Sequence, residues 1–190
     1  MLVVRRILDT IYLASGWLAA LCIGLICALV VAQVGLNSLD RISSLITGRA
    51  IGLTIPSYAD FTGFFLAAAS FLALAYTLRQ GGHIRVTLLV SHLPRRVALV
   101  FEWFCLLTAA AIACYFSYYT LLLCLESYRY QDLSPGMIAV PLWIPQSAML
   151  AGLIIVSIAL IDELIWVIRG NRPHYWDESR TDHTSGEDNV

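Results

Sequence analysis

Few side chains in this sequence could do chemistry, and most of them sit inside or beside long apolar runs. Asp162 and Glu163 are adjacent and lie about six residues before Arg169. Carboxylates inside an apolar segment are costly and often mark a proton or ion relay. The alternative is that they reach the segment end, or pair with Arg79, Arg85 or an amino-terminal arginine. His83 and His92 fall in a basic stretch, and His174 and His183 fall near the carboxyl end. None lies where axial haem ligation needs it, within an apolar run. The five cysteines, Cys22, Cys27, Cys105, Cys114 and Cys124, all lie within such runs. An odd set without metal-ligand spacing reads as small packing residues. The sequence has no phosphate loop, Ser-His-Asp order or paired-carboxylate site, so an enzyme reading has no candidate centre.

The elements that carry these residues follow from composition. The chain has 190 residues, of which 59% are apolar and 13% charged. Soluble domains are ~45–50% apolar and ~25% charged. With a mean hydropathy of +0.75, a soluble fold of this size could not hide its apolar surface. Four runs reach the ~20 residues needed to cross a bilayer, at about 11–36, 61–78, 97–125 and 145–168. In lipid each must be a helix, because backbone groups have no water to bond. The expected fold is therefore all-α: a four-helix transmembrane domain over residues 1–170, then a disordered cytoplasmic tail over 171–190. Between Asp9 and Asp40 lie 30 uncharged residues, against ~7–15 for a signal h-region. Ala19-Ala20-Leu21 before Cys22 has the wrong order for lipoprotein cleavage. The first run reads as an uncleaved span.

Arginine sets the orientation. All twelve basic residues are Arg. With both termini inside, Arg5, Arg6, Arg79, Arg85, Arg95, Arg96, Arg169, Arg172 and Arg180 face the cytoplasm. Arg41, Arg49 and Arg129 face the other side. Nine against three favours this orientation, since basic residues near span ends are retained inside. Tyr58 and Trp143 then mark outer ends, and Tyr76, Trp103 and Trp166 mark inner ends, as aromatic belts.

The loops carry local signals. Asn37–Ser57 reads as an outer loop, with Ile51, Leu53 and Ile55 dipping towards the interface. Ser57 is the expected N-cap of the second helix, with Asp60 three residues on. Small residues at Gly63 and Ala67–Ser70, and again at Ser147, Ala148, Ala151 and Gly152, predict close helix packing, within the chain or against a partner. Gln33 and Gln146 are expected to bond between helices. Gly81-Gly82 breaks the second helix. Ile84, Leu88, Leu89 and Leu93 then form an apolar stripe, which predicts a short interfacial helix in the middle loop. Pro94 suits the first turn of the third helix, which extends past the ~30 Å apolar thickness if it runs unbroken to Leu125. Pro141 reads as extended or turn, and Pro145 as the first position of the fourth helix.

The middle loop also carries a resemblance. Arg79-x-x-Gly82-His83-Ile84-Arg85-Val86-x-Leu88-Leu89, followed by Leu93-Pro94, resembles the hallmark of the small membrane subunit (DctQ family) of tripartite ATP-independent periplasmic (TRAP) transporters. Pro141-Leu142-Trp143-Ile144-Pro145-Gln146 is similar to that family too, and the likeness spans about Leu8 to Arg169. Thr87 departs from it, where many members carry Asp.

The resemblance implies a small permease subunit in the bacterial inner membrane that braces a large transport subunit. The large subunit would hold the substrate and sodium sites, and a periplasmic binding protein would deliver an organic acid. No cofactor is expected in this chain. Arg79, Gly82, His83, Arg85, Arg95, Arg96, Trp143 and Pro145 are the candidate partner or lipid contacts. The four arginines among them are expected to hold anionic headgroups or partner carboxylates. Four spans with few buried polar groups, and without internal repeats, leave little to coordinate a solute. The alternative is a free-standing tetraspan structural or channel-like protein.

Overall fold

A computed structural model describes residues 2–48, 52–80 and 95–168. The described residues form four α-helices: α1 Leu2–Thr47, α2 Tyr58–Arg79, α3 Arg95–Tyr130 and α4 Trp143–Ile168. All four contain a stretch long and apolar enough to cross a membrane. The proposed interfacial helix, Pro94 and the carboxyl tail lie outside the described residues.

The helices form a row rather than a closed ring. α1 packs on α2, α2 on α4, and α4 on α3, with a slight contact between α1 and α4. Across the layer the order is α1, α2, α4, α3, so the last two elements are swapped relative to the chain. Two facts follow from this order. The central helices α2 and α4 have protein on two sides. The edge helices α1 and α3 present most of their circumference outward.

On α1 the packed side is a narrow seam. Leu8, Tyr12, Ser15, Ala19, Cys22, Ile26, Leu29 and Gln33 are buried or half-buried, at alternating steps of three and four. A 3.5-residue repeat is the coiled-coil seam that keeps one stripe facing its neighbour. Its knobs fit because α2 is small opposite them: Ala19, Ala68 and Leu72 form one core cluster. A second cluster joins Tyr12, Ala75, Leu106, Ala110, Val156, Leu160 and Val167 towards the Arg79 end. Ala68, Ala69 and Gly152 therefore serve contacts within this chain, whereas Ser70 and Ala151 are exposed. A Cβ at Gly152 would stand 2.5 Å from the carbonyl carbon of Phe71 and 2.6 Å from its oxygen. The backbones of α4 and α2 touch there. Gly63, on the other hand, faces open space.

Helix ends depart from the ends of the apolar runs. α1 has 46 residues and is about 69 Å long at ~1.5 Å per residue, so Asn37–Thr47 is helix where a loop is expected. α3 likewise continues through Glu126 and Arg129 to Tyr130. The reason is the same in both cases: polar residues mark where lipid stops, and a helix in water remains a helix. The extended return after α1 is held by that overhang. Asp40 accepts a bond from the Gly52 amide at 2.8 Å, and Gln33 accepts one from the Ile55 amide at 2.8 Å. The chain thus comes back beside α1 before α2 begins.

Three local expectations are corrected. Ser57 precedes α2 but does not cap it with its side chain; it sits at φ 57°. Its hydroxyl instead accepts the Ile138 amide at 2.9 Å. Pro145 falls third in α4, because the helix starts at Trp143. It still costs no bond, since first-turn amides have no intrahelical partner. Gln33 bonds to the return segment through Thr54 Oγ1 (2.9 Å) and to Asn37, not to another helix. Gln146 Oε1 is buried without a hydrogen bond among the described residues. Of the cysteines, Cys22 packs against the Ala19 cluster, whereas Cys27, Cys105 and Cys114 face outward and all five are free thiols.

The close α2–α4 crossing gives a paired test. Gly152→Ala should lower the thermal midpoint in detergent by an amount corresponding to about 1–3 kcal/mol of overpacking. Gly63→Ala should leave it unchanged or slightly raised, because alanine is the better helix former and meets nothing there. Equal behaviour of the two variants would reject the crossing.

Candidate functional site: an arginine junction and its opposite elbow

The most connected charged group is Arg79, the last residue of α2. Its Nη2 donates to Asp9 Oδ1 at 2.6 Å, and its Nη1 lies 3.7 Å from Asp162 Oδ2. The guanidinium carbon also sits 5.8 Å from the centre of the Tyr12 ring. Asp9 and Tyr12 belong to α1 and Asp162 to α4, so one planar fork ties three helices at one end of the layer. A guanidinium suits this task because its donors diverge at fixed angles and it is weakly hydrated. Its cation over the ring adds a modest attraction at this partly exposed site.

Of the two roles open to Asp162, the geometry favours pairing with Arg79 over a relay. Glu163, its neighbour, is buried at 5% exposure and faces the packed interior of the layer. Arg79 is thus engaged within the chain, and Asp162 meets one of the arginines that the sequence offered it. Asp9 and Tyr12 were missed as members of this junction. The available signal was topological: Asp9 precedes the first span and Arg79 follows the second, so both fall at one end of the layer.

Gly82, His83 and Arg85 lie outside the described residues, and Arg95 and Arg96 are placed only as the first residues of α3. At the opposite end, Trp143 opens α4. Its ring meets Tyr128 of α3 edge-on, with centroids 5.7 Å apart. Its carbonyl accepts from Cys124 Sγ at 3.6 Å. The connection between α3 and α4 is a short hairpin: Ser134 N bonds Val140 O at 2.9 Å, and Leu142 N bonds Asp132 O at 2.9 Å. This hairpin lies across the start of α2, where Gly136 leaves room for the Asp60 carboxylate. Trp143 and Pro145 therefore belong to an elbow that couples α3, α4 and α2.

The chemistry of these sites is that of fastening. Buried polar side chains among the described residues are Ser15, Gln33, Ser127, Ser134, Ser157 and Glu163. Ser15 and Ser157 bond to backbone carbonyls of their own helices, those of Tyr12 and Leu153. Ser157 also meets Ser117 Oγ at 3.1 Å, which sets the register of α3 on α4. These bonds do not converge on one point, so they offer no polyhedron of donors for a solute.

Four helices long and apolar enough to cross a bilayer, fastened edge to edge, define a multi-pass membrane protein. The profile of the tripartite ATP-independent periplasmic transporters, DctQ component, matches residues 42–170. That is more than half of the chain, and the chain belongs to this family. The match takes in α2, α3, α4 and the last turns of α1; the rest of α1, which the sequence likeness had included, precedes it. No curated protein matches the chain.

Removal of the fork should be measurable. Arg79→Gln should lower the unfolding temperature in detergent, and Arg79→Lys should restore only part of the loss, since one ammonium cannot span both carboxylates. A double-mutant cycle with Asp9→Asn should give a coupling of about 0.2–1 kcal/mol, the range for partly exposed pairs. Zero coupling to both Asp9 and Asp162 would remove Arg79 from the junction.

Proposed function

We propose that this chain is the small permease subunit of a TRAP transporter, and that it acts as a brace. In this reading it binds the large transport subunit, which carries the substrate and sodium sites. A periplasmic binding protein supplies the solute, an organic acid with a carboxylate. The protein lies in a bacterial inner membrane with both termini in the cytoplasm, so that the Arg79 junction is at the inner face. The family match over three of the four helices carries the assignment to a transporter component.

Two physical arguments support the bracing role. A single row of helices has a large outward perimeter for its mass, which suits a protein that widens another. The row is also locked at both ends, by the arginine fork at one and by the hairpin over α2 at the other. A plate fastened in this way resists shear between its helices and can hold a neighbour at constant depth. The cytoplasmic arginines, including Arg85, Arg95 and Arg96, add attraction to anionic lipid, worth about 1 kcal/mol per side chain near the surface. The transporter component family is not an enzyme family.

Affinity purification from mild detergent, followed by mass spectrometry, should recover a much larger hydrophobic transport protein with this chain. Cells lacking the chain should lose sodium-dependent uptake of a labelled carboxylate, and the purified chain alone in vesicles should carry none. Solute flux from the pure chain would favour the free-standing channel-like alternative and reject the brace.

A further inference from the structure

We propose that the face of α3 turned away from α4 is the surface that meets the large transport subunit, through the hydroxyls of Tyr115, Tyr118 and Tyr119. This rests on the reading above and adds the location and chemistry of the contact. The three tyrosines are 59%, 58% and 52% exposed. Their rings support one another: Tyr115 and Tyr119 lie tilted at 48° with centroids 4.6 Å apart, and Tyr118 meets Tyr119 edge-on at 5.5 Å. The cluster is thus a preformed, rigid patch that leaves the hydroxyl tips outward.

Depth makes this patch unusual. Ser117 lies within the same five residues and bonds to Ser157, near the middle of α4. Tyr115, Tyr118 and Tyr119 are eleven, eight and seven residues from Glu126, about 16, 12 and 10 Å along the helix at ~1.5 Å per residue. Half of the hydrocarbon thickness is ~15 Å. Tyrosine ordinarily sits at the membrane interface, where its ring is in lipid and its hydroxyl in water. Here no hydrogen bond to the three hydroxyls is formed among the described residues, and lipid tails supply no acceptor. An unsatisfied hydroxyl in hydrocarbon is costly.

The opposite edge of the row behaves differently. The outward side of α1 at a similar distance from its outer end is aliphatic, with Leu25, Val30 and Val31 exposed. That edge is satisfied by lipid. The α3 edge instead calls for a transmembrane helix with backbone or side-chain acceptors at mid-depth, and the large transport subunit is the membrane partner that the family supplies. Thr108, exposed on the same side of α3 and bonded to Phe104 O at 2.8 Å, prolongs the stripe towards the Arg95 end.

The test uses the full chain co-expressed with its large subunit. A photo-crosslinking amino acid is placed singly at Tyr119 and, as the opposite edge, at Val31. Tyr119 should crosslink to the large subunit and Val31 should not. A second variant carries Tyr115→Phe, Tyr118→Phe and Tyr119→Phe, which keeps the ring shapes and removes the hydroxyls. It should retain roughly tenfold less large subunit after detergent washing, because interhelical hydrogen bonds in lipid are individually modest but add over three sites. Crosslinking from Val31 instead of Tyr119, crosslinking of Tyr119 only to a second copy of this chain, or full retention by the triple variant would each overturn the proposal. If the unaltered chain co-purifies with the large subunit while these fail, only the surface is wrong. If it retains no large subunit at all, the transporter reading falls with it.

Discussion

The constraint from which this architecture follows is the absence of water in the hydrocarbon layer. Every polar group placed there must find its partner within protein. The helices answer for the backbone. Hydroxyl side chains then answer for themselves by bonding back one turn, as Ser70 does to Leu66 O and Thr77 to Ala73 O. Gln33 shows the rule at the membrane edge: its amide satisfies both a threonine hydroxyl and the Ile55 amide of a non-helical segment. Extended chain is tolerated at that level because a helix side chain takes over the role of water.

Within that constraint, helix association cannot rely on the hydrophobic effect, since lipid is as apolar as leucine. Close packing and a few charged or polar fasteners take its place. The α2–α4 crossing uses glycine against backbone, and the α1–α2 seam uses serine and alanine. The fork of Arg79 then links α1, α2 and α4 where the layer ends. The α3 helix lies at an edge of the row and packs on α4 through Leu106, Ala110 and Ala113, the Ser117 contact and the Trp143 elbow. It is also the helix whose outward face carries polar tips at mid-depth. A brace whose edge helix is completed by its partner is consistent with both features.

Much of the site was legible because some of its signals are local. α2 ends at Arg79, just ahead of a glycine pair in the sequence, and a proline–tryptophan run announces α4. The pairing of Arg79 with Asp9 was not legible, because 69 residues separate them and nothing local distinguishes this arginine from the other eleven. The role of Ser57 failed for a related reason. Its sequence context suits a capping box, but a tertiary contact from Ile138 took the hydroxyl first.

By itself the sequence determined that the chain is a set of membrane helices, how many there are, and which family it joins, because lipid selects on hydropathy and length along a single segment. Only the tertiary structure decided which helix lies beside which, where α1 really ends, and which carboxylates take Arg79. Those outcomes depend on shape fitting between faces distant in sequence, and on competition among partners that become neighbours only when the row has formed.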